Sequence, residues 1–247
     1  MSSPPRQPET PAAPVITLDG PSGSGKGTIA RGLVARLGWH YLESGALYRV
    51  LGLLAARDGI ALGAPIAERD IAKLSALAAR LQLSFRDGGV FLEGEDVNAQ
   101  IRSEAAGERA SRIAPLPEVR EALLGWQRRC ARPPGLVADG RDMGTVVFPG
   151  AACKVFLTAG VEARARRRCA QLKELGFNVS IAQIHRELGE RDRRDLSRAV
   201  SPLKPAEGAF QLDTTSLSAA EALVAVSARV ARDCNLPEIS AGNFPES

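Results

Sequence analysis

The sequence predicts an α/β domain built on a parallel sheet with helices on both faces and interrupted by a small antiparallel insert. Three observations predict it. A short apolar run, Val15-Ile16-Thr17-Leu18-Asp19, leads straight into a glycine-rich loop and then a helical stretch. Apolar runs of strand length alternate with longer amphipathic stretches along most of the chain, the pattern of strand–helix units that form a parallel sheet. Between residues 66 and 103 that alternation breaks, and two alternating runs flank an Asp-Gly-Gly turn.

The elements follow in order. Residues 1–14 carry Pro4, Pro5, Pro8, Pro11 and Pro14 without periodicity and read as a disordered leader. The first strand is a short apolar run, consistent with a buried parallel strand. The helix behind the loop runs to Leu37 and stops at Gly38, a C-cap position. Tyr41-Leu42 marks a second strand. Ser44 is read as the N-cap of a helix carrying Leu47, Val50, Leu51 and Leu54 and ending near Gly59. In the insert, a helical stretch (Ile71, Leu74, Leu77, Leu81) precedes the hairpin formed by 81–85 and 90–92 around Arg86-Asp87-Gly88-Gly89. Helices are predicted over 104–114 and 117–131, and core strands at 135–139 and 154–157. Long helices follow near 161–175 and 181–195, then a last short strand at 211–213. Ser218-Ala219-Ala220-Glu221 is a capping box opening the C-terminal helix.

The 247 residues include 32 Lys+Arg against 28 Asp+Glu, a net charge of +4; only 5 of the 32 are Lys, leaving 27 Arg. At 45% hydrophobic and 24% charged, the composition is that of a globular protein rather than a disordered or fibrous one. No apolar run approaches the roughly 18 residues of a membrane span. The first fourteen residues hold no hydrophobic stretch of the kind a secretory signal needs. The four cysteines, Cys130, Cys153, Cys169 and Cys234, show neither a CxxC pair nor zinc-ligand spacing, so a reduced, cytoplasmic compartment is expected. Guanidinium forks onto phosphate bidentately, so an arginine excess fits phosphate handling; a GC-rich genome produces the same bias. Aromatics make up only 4% of residues and no basic run interleaves with stacking rings, which argues against a nucleic-acid partner. The surplus is also local. Arginines 164, 166, 167, 168, 186, 191, 193, 194 and 198 with Lys173 oppose five acids over 164–198, a local net charge of +5. About half of these are expected to be ordinary helix-surface charges, Glu190 with Arg194 being an i,i+4 example.

Gly20-Pro21-Ser22-Gly23-Ser24-Gly25-Lys26-Gly27-Thr28 matches GxxxxGK between a strand and a helix, the context that confirms a phosphate loop and a three-layer P-loop fold. Its backbone N–H groups and the helix N-terminus face the phosphates, and Lys26 reaches the β and γ groups. Gly27 occupies the slot that usually carries the Mg²⁺-ligating hydroxyl, with Thr28 one place later. The metal is therefore expected to be held mainly by phosphates and water, with Asp139 a candidate ligand. A GTPase switch is excluded, because none of Asn98, Asn178, Asn235 or Asn243 is followed by Lys as guanine recognition requires. Glu43-Ser44-Gly45-Ala46-Leu47-Tyr48-Arg49 puts a hydroxyl, a glycine and an arginine at a helix start. Alone, that stretch reads equally as an N-cap with a solvated arginine or as a second phosphate site. Asp139-Gly140-Arg141-Asp142 closes a core strand, where open α/β sheets bind ligands. His40 and His185, the only histidines, are read as structural.

The stretches ITLDGPSGSGKGT, SGALYR, LEGEDV, VREALL, ADGRDMGTVVFP and ERDRRDLSRA, in this order over about 15–235, resemble the bacterial cytidylate kinase family. The resemblance implies transfer of a phosphoryl group from ATP to CMP or dCMP with Mg²⁺. It implies a P-loop core (15–65 and 104–235), an inserted NMP-binding subdomain (66–103), an Arg-rich lid (about 158–198) and a flexible tail (236–247). It places Ser44, Arg49 and Arg141 at the CMP phosphate, Arg120, Asp142 and Arg198 near cytosine, and Ser111, Arg191 and Asp195 near the sugar. Lys26, Arg141 and Arg191 are the residues expected to act on the transferring group. Glu43 departs from the Asp usual there. A kinase for another small acceptor and an ATP-dependent nucleic-acid module are the alternatives, and a monomer is expected.

Overall fold

The computed structural model describes residues 13–63, 65–86, 89–174, 176–198 and 200–236. Most of the leader, the centre of the hairpin turn (Asp87, Gly88) and the tail beyond 236 lie outside them.

The chain opens with β1 (Val15–Asp19), α1 (Lys26–Leu37), β2 (His40–Glu43) and α2 (Ser44–Arg57). The insert contributes α3 (Glu68–Ala79), β3 (Leu83–Arg86), β4 (Gly89–Leu92) and β5 (Glu95–Asp96). Then come α4 (Asn98–Ile101), α5 (Glu104–Ile113), α6 (Pro117–Arg129), β6 (Leu136–Gly140) and a π-helical turn (Met143–Val147). The chain ends with β7 (Cys153–Thr158), α7 (Val161–Glu174), α8 (Ile181–Leu196), β8 (Phe210–Asp213) and α9 (Ala219–Asp233).

Five parallel strands form the main sheet in the order β2-β6-β1-β7-β8. Alternation in β1 sends side chains to opposite faces. Ile16 and Leu18 join Ile29 and Leu33 of α1 and Val226 and Val230 of α9 on one side. Val15 packs on the other side, with Leu42, Leu136 and the α2 residues Leu47 and Leu51. Both faces are covered, so Thr17 and Asp19, which alternate with Ile16 and Leu18, are buried as well. The predicted C-cap is present, with Gly38 left-handed at φ 65° and its N–H bonded to Val34 O. So is the capping box, with Ser218 and Glu221 satisfying each other's N–H groups.

The insert is the antiparallel unit its sequence predicts, three strands in the order β3-β4-β5. Leu74, Leu77, Val90 and Leu92 share one apolar cluster with Leu47 of α2 and Leu123 of α6. One helix start differs from expectation. The N-cap of α2 is Glu43, extended at φ −88° with no side-chain bond, and Ser44 is already the first helical residue. Its hydroxyl faces β6 instead: a Cβ built on Gly140 would lie 2.6 Å from Ser44 Oγ. The hydroxyl lies against the neighbouring strand end rather than capping the helix.

Candidate active site

All five parallel strands point their C-terminal ends toward one cavity of about 740 Å³. The loop between β1 and α1 forms one end. Gly20 is locked there, since a Cβ on it would fall 2.0 Å from Leu157 O and its φ is +145°. Gly25 caps α1 in a left-handed conformation at φ 93°, which turns the helix N-terminus into the loop. Residues 22–28 line the cavity. Pro21 stands behind them, its carbonyl accepting from Lys26 Nζ at 2.7 Å and from Ser24 Oγ at 3.0 Å. Arg164 of α7 braces the loop from outside, donating to Ser22 O at 3.1 Å and paired with Asp192 of α8.

The other end is assembled from five separate stretches. Ser44 and Arg49 come from α2, Ser111 from α5, Arg120 from α6, Arg141 and Asp142 from the end of β6, and Arg191 and Arg198 from and just after α8; all eight line the cavity. Asp195 does not line it. It lies behind, 1% exposed, accepting from Arg141 Nε at 3.0 Å and from Arg198. Arg120 donates to Asp142, to Tyr48 Oη at 3.2 Å and to Ala114 O at 3.1 Å, which fixes its guanidinium. Every predicted residue is thus brought to one place except Gly20, Pro21 and Asp195, which support it from behind.

Positive charge here is under-compensated. The Nε atoms of Arg49, Arg191 and Arg198 and the hydroxyl of Ser111 are buried without a protein hydrogen-bond partner. Burial, then Arg141, pushes Arg191 down to about 9. Burial and the cations Arg141 and Arg191 likewise push Lys26 down to about 7, against the pull of Asp139 and Asp19. Arg49 and Arg198 are depressed chiefly by burial. Buried cations crowded this closely are waiting for anions. Asp195 responds in the opposite sense: burial raises its carboxyl, but Arg141, Arg198 and Arg191 outweigh that and hold it below the ordinary carboxylate value.

Asp139 is the carboxylate beside the loop. It accepts from Tyr41 Oη at 3.3 Å, and a Cβ on Gly27 would lie 3.6 Å from its Oδ2. Burial raises its pKa. Among the described residues no group of three or more His, Cys, Asp or Glu could hold a metal ion. A hard cation here would therefore take Asp139 oxygen from the protein and the rest of its shell from phosphate and water, which these residues fit.

Four contributors escaped sequence reasoning. Tyr48, its phenol pushed up to about 12 by burial, steadies Arg120. Asp19, the last residue of β1, binds the amides of Met143 and Gly144. Its only sequence signal is an acid at the end of an apolar strand. Glu104 and Glu108 of α5 take Arg168 and Arg194. Arg194 was expected to pair with Glu190 along its own helix; the fold instead offers Glu108 at 2.7 Å.

The geometry agrees with comparisons to known proteins. The family model described as cytidylate kinase matches residues 16–232. The cytidylate kinase of Stutzerimonas stutzeri is 54% identical over 224 residues, covering 88% of this chain and 95% of that protein. That of Pseudomonas putida is 52% identical over 226 residues, covering 89% and 96%, and that of Photobacterium profundum is 52% identical over 210 residues, covering 83% and 90%. Loop, cavity and relatives converge: the chain belongs to the cytidylate kinase family.

Proposed function

We propose that this protein transfers the γ-phosphoryl group of ATP to CMP or dCMP, giving ADP and CDP or dCDP. The observation that carries the reading is one cavity joining a phosphate loop to a second cluster of buried arginines, in which the Nε atoms of Arg49, Arg191 and Arg198 and the hydroxyl of Ser111 have no protein hydrogen-bond partner. Two anionic substrates placed end to end would neutralise both.

The loop amides and Lys26 hold the donor phosphates; Ser44, Arg49 and Arg141 hold the acceptor phosphate. An acceptor phosphate oxygen attacks the γ-phosphorus in line, without a covalent enzyme intermediate, and positioning supplies much of the rate. Arg141 and Arg191 cover the charge that spreads over the transferring group. Lys26 leaves Pro21 O for phosphate oxygen, which restores its charge. A divalent cation, Mg²⁺ in this proposal, would be met by Asp139 and would neutralise phosphate charge during transfer. Asp142, steadied by Arg120 with Arg198 near, accepts from the exocyclic amine of cytosine, which uracil lacks. Ser111 and Arg191 form the sugar side; Asp195, which lies behind the cavity wall, acts there only by holding Arg141 and Arg198. In this reading 66–103 is the acceptor-binding insert and 158–198 the lid that excludes water.

We further propose a monomer acting on small molecules in the cytoplasm. The four thiols are unpaired, and no helix among the described residues is long and apolar enough to cross a membrane. The test is ADP release at fixed ATP across CMP, dCMP, UMP, AMP and non-nucleotide acids. CMP- and dCMP-dependent turnover that requires Mg²⁺ is expected; turnover with AMP but not CMP would overturn the base assignment.

A further inference from the structure

Asp19 is 3% exposed and is absent from the cavity wall, yet it connects its two ends. Its carboxylate accepts from Met143 N–H at 2.9 Å through Oδ1 and from Gly144 N–H at 2.8 Å through Oδ2. These amides open the π-helical turn, where the first N–H groups have no partner inside the turn. Val146 and Val147 already use the carbonyl of Asp142. The turn is pressed onto β1 as well: a Cβ on Gly144 would lie 2.9 Å from Thr17 Oγ1 and 3.4 Å from Asp19 Oδ2.

Position along the chain gives this contact its meaning. Immediately after Asp19 comes Gly20, which is clamped against the carbonyl of Leu157 and starts the loop. Immediately before Met143 come Arg141 and Asp142. The β1–β6 ladder ends by pairing Asp19 with Gly140, so it does not reach the two residues that follow. Arg141 and Asp142 side chains bond to Asp195 and Arg120, which belong to the acceptor side themselves. The described hydrogen bonds that tie the backbone just beyond this pair to the strand carrying the loop are those of Asp19.

We propose that Asp19 is a positioning residue for the acceptor: it holds the Met143–Gly144 amides so that Arg141 and Asp142 keep a fixed place relative to the phosphate loop. This rests on the CMP-kinase reading above. Asp19→Asn keeps the shape but turns an NH₂ group toward one of the two N–H donors. Leaving one buried donor unmatched corresponds to a loss of about tenfold or more. The expected result is a KM for CMP raised by about tenfold with the KM for ATP within about twofold of wild type. In nucleotide-free protein, hydrogen exchange at Met143 and Gly144 should quicken by about tenfold relative to Leu18. Gly144→Ala, whose Cβ would press on Thr17 Oγ1 and push the turn off β1 while leaving the Asp19 carboxylate chemically intact, should shift the same acceptor KM and decides the matter if Asp19→Asn does not fold.

An unchanged KM for CMP, or KM values for both substrates rising together, overturns the proposal. Exchange needs no substrate, which separates the two readings. A wild type that does not turn over CMP sinks the function, while unchanged Met143 and Gly144 exchange in an active enzyme sinks only the clamp.

Discussion

Asp195→Asn should destabilise the protein by about 3 kcal/mol while leaving its fold intact. The carboxylate is 1% exposed, 3.0 Å from Arg141 Nε and bonded to Arg198. Coulomb attraction for a unit pair at 3.0 Å with an effective dielectric of about 20 is about 5–6 kcal/mol, before desolvation is subtracted. Removing one partner of a buried pair costs about 3–5 kcal/mol, because the charge left behind is uncompensated. Arg141 retains 17% side-chain exposure and faces the cavity, so water recovers part of that and the lower figure applies. For a chain of this size the melting temperature should fall by about 6–12 °C. Asp195 is held below its ordinary 3.8, so its contribution is present above the unfolded value and is lost as pH falls through the lower, folded one. Urea unfolding should give a constant gap between wild type and variant from about pH 5 to about pH 8, narrowing below about pH 4. Equal stabilities at neutral pH, or a gap insensitive to acid, would refute the idea that this carboxylate ties Arg141 at the end of β6 to Arg198 just after α8.

Lys26→Met should lower kcat by about a hundredfold to a thousandfold without lowering the melting temperature. Burial holds Lys26 near 7 rather than 10.5, so its charge costs stability below about 7 and that cost fades toward 10.5; the variant's thermal advantage should follow the same window. Because phosphate anions favour the charged amine, ATP added without metal near pH 8 should take up protons. Calorimetry in buffers of different ionisation enthalpy reads that uptake, and Lys26→Met should reduce it. Gly20→Ala places a Cβ 2.0 Å from Leu157 O at a φ of +145°, so ATP binding and thermal stability should fall together, the latter by at least about 1–3 kcal/mol.

The strand, the phosphate loop, α1 with its Gly38 cap and the capping box of α9 were all legible in the sequence. Each is decided by hydrogen bonds and dihedrals within a few consecutive residues, so spacing carries the information. The hairpin insert was legible for the same reason. The acceptor end was readable only as fragments, and Ser44 shows why. From its neighbours it is an N-cap; from the structure it is a hydroxyl turned toward the end of β6, ninety-odd residues later in the chain. Arg194 likewise had a reasonable partner one turn away and found a better one on α5. Asp19 carried almost no signal, because its partners are two backbone amides and amides look alike in any sequence. Local bonding can be read from the order of residues; which distant groups meet depends on how the apolar faces pack. The sheet order β2-β6-β1-β7-β8 brings Asp19, Ser44 and Arg141 to one end of one surface, and packing gathers arginines from α2, α6, α8 and the end of β6 around one cavity there.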